Sequence, residues 1–234
     1  MAILFSEIKK FNPYHGADGR FTTGAAATSF TIRTKDPKKR WMVADAKSKE
    51  RSRVRTQSLH SIEDRIRNQD YESAAVVDKN GNTLFFKDGE QSQVMFTSEE
   101  SARMRGNTLT HNHPLNGFLS APDIGTFVGN DLSEIRASLR NGKTYSLSRG
   151  DSYQDSNGMA FFNEFVNRMN DADTRSESIL DQKGYQEKVS TGEVSQAQAN
   201  KEKTELVSEI MSEWMNREAS KYNLIFRTEE GKAA

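Results

Sequence analysis

The segment from Asn107 to Asp123 constrains the fold of this chain more tightly than any other. Asn107-Thr108-Leu109-Thr110 leads as a strand into His111-Asn112-His113, and Pro114 ends the strand because proline cannot donate to a sheet ladder. Side chains alternate across a strand, so His111 and His113 project from one face and Asn112 from the other. Beyond a short loop, Ser120-Ala121-Pro122-Asp123 reads as a helix start, with Ser120 as N-cap, Pro122 in the first turn and Asp123 as the capping-box acid. Two imidazoles on one rigid face are half of a zinc site. Asp123 can reach back as a third ligand and leave the fourth position to water, the open arrangement of a catalytic zinc. A plainer reading stands beside this one: Ser120 and Asp123 suffice as a capping pair with no metal, and Asn112 reads as structural. The letters H-N-H are no sign of an HNH nuclease, whose residues are dispersed over a ββα unit.

The middle of the chain has the pattern of an α/β unit. Ser61 to Asp70 carries Ile62 and Ile66 at helical spacing, and Ala74 to Val77 is a short buried strand. Asp78-Lys79-Asn80-Gly81 is a hairpin signal, with Thr83 to Lys87 as the returning strand. Val94 to Phe96 reads as another strand, and Thr97 with Glu100 as a second capping box. A helix follows the histidine strand from about Ala121 to Val128. Glu134 to Leu139 and Thr144 to Leu147 then pair across Asn141-Gly142.

Composition bounds the flanks. The chain has 234 residues and no cysteine, so disulfides and thiolate ligands are excluded and any zinc must be held by His and carboxylate. No apolar run is long enough to span a membrane, and Glu7, Lys9 and Lys10 interrupt the N-terminus too early for a signal peptide. The net charge of zero hides a split: residues 1–57 carry 13 Lys/Arg against 5 Asp/Glu, an excess of +8 that the rest of the chain cancels. This stretch reads as a flexible, largely extended basic arm, dispensable for a metal site and suited to nucleic acid or an acidic partner. After Gly150 the sequence reads as a helical extension over 151–234. Residues 151–158 look loop-like, Ala160 to Met169 amphipathic, and Asp171 to Asn200 a loose charged excursion. Leu206, Val207, Ile210, Met211 and Trp214 form a wide helical stripe, and Leu224-Ile225-Phe226 a terminal strand.

With Glu72 upstream, His111-Asn112-His113-Pro114, and then Ser120-Ala121-Pro122-Asp123, the chain resembles the JAMM (MPN-plus, or JAB) zinc metalloproteases and their RadC-like relatives. The resemblance covers roughly residues 58–150. Six residues separate His113 from Ser120 where the family usually has seven. It implies an α/β, three-layer, cytidine-deaminase-like core with a mixed sheet flanked by helices. It also implies Zn2+ held by His111, His113 and Asp123, with Glu72 as general base and Ser120 assisting the oxyanion. Glu72 lies between a helix and the Ala74 strand, where the family places its glutamate; Glu63, Glu90, Glu99 and Glu100 are the rivals. The implied substrate is a protein or peptide, including a ubiquitin-like conjugate, cleaved at a peptide or isopeptide bond. The segment from Asn12 to Gly24, with Asn12-Pro13, His15, Gly19-Arg20-Phe21 and Gly24, resembles phage head-morphogenesis and minor capsid proteins. It implies a phage origin, phage structural proteins as partners, and residence in the host bacterial cytoplasm or the virion. A different expectation follows from the same resemblance: a non-catalytic virion or head-assembly protein that uses the fold as a binding module.

Overall fold

The computed structural model describes residues 37–231. The capsid-like segment with His15 lies outside the described residues, as does the basic stretch before Pro37. The chain divides into two compact units, residues 1–47 and 48–234, and the architecture below is that of the second. Helix α1 (Pro37–Ile66) begins on a proline, whose fixed φ suits a first turn. It is helical through residues expected to be extended. The reason is propensity: after Pro37 the stretch has neither proline nor glycine and is rich in Lys and Arg, which are good helix formers.

Strands β1 (Ser73–Val77) and β2 (Thr83–Asp88) form the expected hairpin. The carboxylate of Asp78 accepts from the backbone N–H of Asn80 and Asn82, closing the turn. Gly81 has φ +90, and a Cβ there would come within 3.1 Å of the Arg55 Cα, so glycine serves both the turn and the close passage of α1. Residues Val94 to Phe96 form no strand. They fold instead as a loop whose Val94 and Phe96 side chains pack on the core, with Phe96 edge-on to Phe85. Helix α2 (Ser98–Met104) starts on Thr97 with a complete capping box to Glu100. Strand β3 (Thr108–His113) follows, then α3 (Ala121–Gly129), β4 (Glu134–Leu139) and β5 (Lys143–Arg149).

After a turn at Gly150–Tyr153, α4 (Asp155–Gln182) begins within the stretch expected to be a loop. It continues through the charged stretch, followed by α5 (Tyr185–Ser190) and α6 (Gln196–Glu218). The expected loose excursion is therefore ordered helix. Its buried seam uses small side chains, Ala172, Ser176 and Ala199, so the sequence shows little large apolar character there. A 3-10 turn (Ala219–Tyr222) and Asn223 at φ 55 lead into β6 (Leu224–Glu230).

The six strands form one mixed sheet in the order β2-β1-β3-β4-β5-β6. β3 and β4 are parallel, joined by the crossover helix α3, and all other neighbours are antiparallel. One face is apolar: Leu109, Ile135, Leu139 and Leu147 meet Ile124 and Phe127 of α3, Phe161 and Phe165 of α4, and Met211 and Trp214 of α6. The opposite face is polar, and α1 covers it. Glu63 of α1, 1% exposed, accepts from Thr110 Oγ1 (3.0 Å) and Arg136 Nε (2.6 Å). Arg136 also donates to Glu134 and Glu229, and Arg55 pairs with Glu134 and Thr108. Buried charges persist only when paired in this way. The result is an α/β fold of three layers, α1, sheet and α3–α6. Among the described residues no helix is long and apolar enough to cross a membrane.

Candidate metal centre

β3 lies between β1 and β4 and is buried along its whole length, so its side chains are held from both edges. His111 and His113 project onto the apolar face as their spacing requires. Pro114 follows the last strand residue, and the Asn116 N–H returns to the His113 carbonyl (3.1 Å), Asn116 taking φ 59 to close the turn. Phe118 and Leu119 are buried and anchor the loop, so the short connection to Ser120 is packed rather than loose. Nδ1 of His113 lies 3.0 Å from the Gly117 carbonyl, which can only accept. That contact places the ring proton on Nδ1 and leaves the Nε2 lone pair for a ligand.

At the start of α3, Ser120 and Asp123 form a full capping box. The Asp123 N–H donates to Ser120 Oγ at 3.2 Å, and Asp123 Oδ2 accepts from both the N–H and the hydroxyl of Ser120 at 2.7 Å. The capping reading of this pair is thus realised. With Oδ2 engaged at the cap, Oδ1 lies 3.1 Å from His111 Nε2, while Oδ2 is 3.3 Å from His113 Nε2. The two Nε2 atoms are 2.9 Å apart.

These distances bear on whether a metal fits. Ligands of a tetrahedral zinc at about 2.0–2.1 Å lie roughly 3.3 Å from one another, close to the observed separations. One ligand atom from each of His111, His113 and Asp123 falls within 4.8 Å of the others. Nδ1 of His111 is buried with no hydrogen-bond partner, so that ring's polar demand falls on Nε2 at the centre. The group can hold a metal ion.

Electrostatics follow from the convergence. Burial pushes the Asp123 carboxyl up, but the two imidazoles outweigh it and hold the group well below the usual range. Burial likewise pushes His113 down, yet the hydrogen bond and charge of Asp123, with help from Gly117 and Glu72, raise it to about 9.

Glu72 is placed by register. β1 and β3 pair with Ala74 opposite His111; continuing that antiparallel ladder sets Ser73 opposite Asn112 and Glu72 opposite His113. Two residues before Ala74, the Glu72 side chain belongs to the histidine face. It is half-buried there. Burial raises its carboxyl above the ordinary value, opposed by His111 and His113 and reinforced by Asp123, so it senses all three members of the group. The rival glutamates are committed elsewhere. Glu63 is on the opposite face with Arg136, Glu90 bonds Gln93, and Glu99 and Glu100 sit in the first turn of α2, where Glu100 also binds Lys87. His60 lies on α1 beside Glu229.

Two contributors have little signal in the sequence. The Gly117 carbonyl, which orients His113, is a backbone group that any residue would supply. Asn112 bonds the backbone on both sides of Glu72: its Oδ1 accepts from the Ser73 N–H at 2.7 Å and its Nδ2 donates to the Tyr71 carbonyl at 2.9 Å. A cleft of about 410 Å³ adjoins the centre at Gly117, Phe118 and Ser120, and its far wall is formed by Met169, Lys203 and Val207 of α4 and α6. Comparison of the chain with protein-family models, curated proteins and solved structures gave no match.

Proposed function

We propose that this chain is a zinc-dependent metallopeptidase of JAMM type, phage-encoded, that hydrolyses a peptide or isopeptide bond in a protein substrate or ubiquitin-like conjugate. The observation that carries this reading is the convergence of His111, His113 and Asp123 at ligand spacing with Glu72 on the same face. A two-imidazole, one-carboxylate set without thiolate suits zinc as well as other divalent ions. Zinc held there supplies Lewis acidity, enough to make a water titrate near pH 7. Glu72 takes the proton of the attacking water at its carboxylate and returns it to the leaving amine; its elevated affinity for protons suits both halves of that transfer. Ser120, at the lip of the cleft, donates its hydroxyl to Asp123 here and would turn it to the oxygen that gains charge as the carbonyl becomes tetrahedral, leaving its backbone N–H on the Asp123 carboxylate. The cleft between Phe118 and the α4–α6 pair offers room for substrate main chain beside these groups.

The deciding experiment pairs elemental analysis of the purified protein with hydrolysis of a panel of linear and isopeptide-linked peptides. About one zinc per chain, absent in His111→Ala, with cleavage only by the wild type, supports the reading. A protein that takes up no metal in the presence of excess zinc, or that binds it equally without His111, overturns it. Zinc bound through His111 with no cleavage of any panel member places the non-catalytic binding module ahead.

A further inference from the structure

We infer that Asn112, the residue between the two histidines, is a positioning residue for Glu72; this rests on the reading of Glu72 as the base. β1 begins at Ser73 and its ladder with β3 at Ala74, so Glu72 lies two residues outside that ladder, where a chain would ordinarily be free to splay. On the β2 side it is held by backbone bonds, Glu72 N–H to the Glu90 carbonyl and Gly89 N–H to the Glu72 carbonyl, both 2.8 Å. On the β3 side the backbone ladder bonds stop with the Ala74–His111 pair, short of the peptides that flank Glu72. The Asn112 side chain takes over from those bonds. Its amide presents an N–H and a carbonyl side by side as a peptide group does, and directs one to each of the two peptides that flank Glu72.

The fit depends on residue type. Asn112 is fully buried, so an unmatched donor or acceptor there would be costly. A serine or threonine hydroxyl is too short to span Tyr71 and Ser73 together. A carboxylate accepts from Ser73 but meets the Tyr71 carbonyl with a second acceptor. Because Asn112 leaves the strand on the face opposite the histidines, it fixes the base without touching the reacting groups. The same three residues, 111 to 113, thus set both the ligands and the base that works across from them.

The test uses full-length, zinc-loaded protein carrying Asn112→Ala or Asn112→Asp, with Glu72→Gln as control. Amide exchange at Ser73 should accelerate at least about tenfold in Asn112→Ala while Ala75 and Val76 stay protected, and zinc content should be unchanged. For a bond the wild type cuts, kcat should fall about 10- to 100-fold, as expected for a supporting residue, with KM moving less than about threefold. Asn112→Asp, which keeps the bond from Ser73, should recover part of the rate. Adding Asn112→Ala to Glu72→Gln should cost nothing further, since the base it positions is already gone. Unchanged exchange at Ser73, loss of zinc, or an undiminished kcat in Asn112→Ala while Glu72→Gln is inactive would overturn the inference alone. Full activity in Glu72→Gln would instead remove the proposed base, and with it the reading on which the inference rests.

Discussion

Glu72 lies opposite His113 when the β1–β3 register is continued past Ala74, and their proton affinities set what each can do. We expect Glu72→Gln to keep its metal and lose roughly 10²–10⁴-fold in hydrolysis, since the substitution preserves size and removes the proton acceptor. Metal analysis and single-turnover assays of the same preparation separate the two effects. For His113, a value raised from 6.5 to about 9 means the folded, metal-free chain holds an extra proton at neutral pH. Its contribution to stability is full below about pH 6.5 and is lost as pH rises through about 9. Asp123 is depressed instead, so its contribution is full above its ordinary 3.8 and is lost only as pH falls below that. A metal ion needs the His113 lone pair and must displace the proton. Zinc titrations by calorimetry at pH 7.5, in buffers of differing ionisation enthalpy, should therefore show about one proton released per ion bound from His113, over and above that of a water on the zinc, the His113 share declining above pH 9. Release of none at pH 7.5 would show that His113 is already neutral.

At the scale of elements, α3 is both crossover helix and carrier of the proposed ligand Asp123, and Ser120 joins the two roles. Ser120→Ala removes the cap, worth about 0.5–2 kcal/mol, and takes from the Asp123 carboxylate the hydroxyl bond while leaving it the bond from the residue 120 backbone N–H. We expect zinc affinity to fall roughly 10- to 100-fold in this variant, beyond what the loss of helix stability explains; competition with a chromophoric chelator measures it. The polar layer is the other element-level device. Arg136→Met leaves Glu63 buried without its main partner and should cost about 3–5 kcal/mol, whereas adding Glu63→Leu should recover much of that in chemical denaturation. The sequence showed the first device and hid the second. Motif spacing placed His111, His113, Ser120 and Asp123 on adjacent elements because the strand stop and the helix cap are local chemistry. Glu72 needed the family likeness, because nothing in its neighbours distinguishes it from Glu63 or Glu90 until β1 and β3 are put in register. The Glu63–Arg136–Glu229 network joins residues 73 and 93 positions apart, a separation that no local pattern carries. Val94 to Phe96 looked like a strand because apolar residues covering an edge loop have the composition of a strand. Residues 171–200 looked loose because the positions buried there are mostly small, Ala172, Ser176 and Ala199 beside Leu180.

For the whole molecule, the boundary of the folded unit is set by where α1 begins to contribute buried partners. Residues before Ser48 belong to a separate unit, whereas Arg55, Leu59, Glu63 and Ile66 all bond to or are buried beneath the sheet's polar face. The expectation that residues 1–57 are dispensable therefore needs division. Removing residues 1–47 should leave zinc stoichiometry and the thermal midpoint nearly unchanged. Removing residues 1–57 also deletes Arg55, leaving Glu134 with Arg136 alone, and withdraws the helix from the Gly81 turn that packs against it. That truncation should lower the midpoint by several degrees, since about 1 kcal/mol corresponds to roughly 2–4 °C in a domain of this size. The proposed metal ligands stand on the opposite face, so zinc should still bind while the shorter chain remains folded. Calorimetry with metal analysis of both truncations checks this. Equal midpoints would show that the polar face draws nothing from α1 before Ser58, and loss of zinc from the shorter truncation would place part of the first unit in the metal centre.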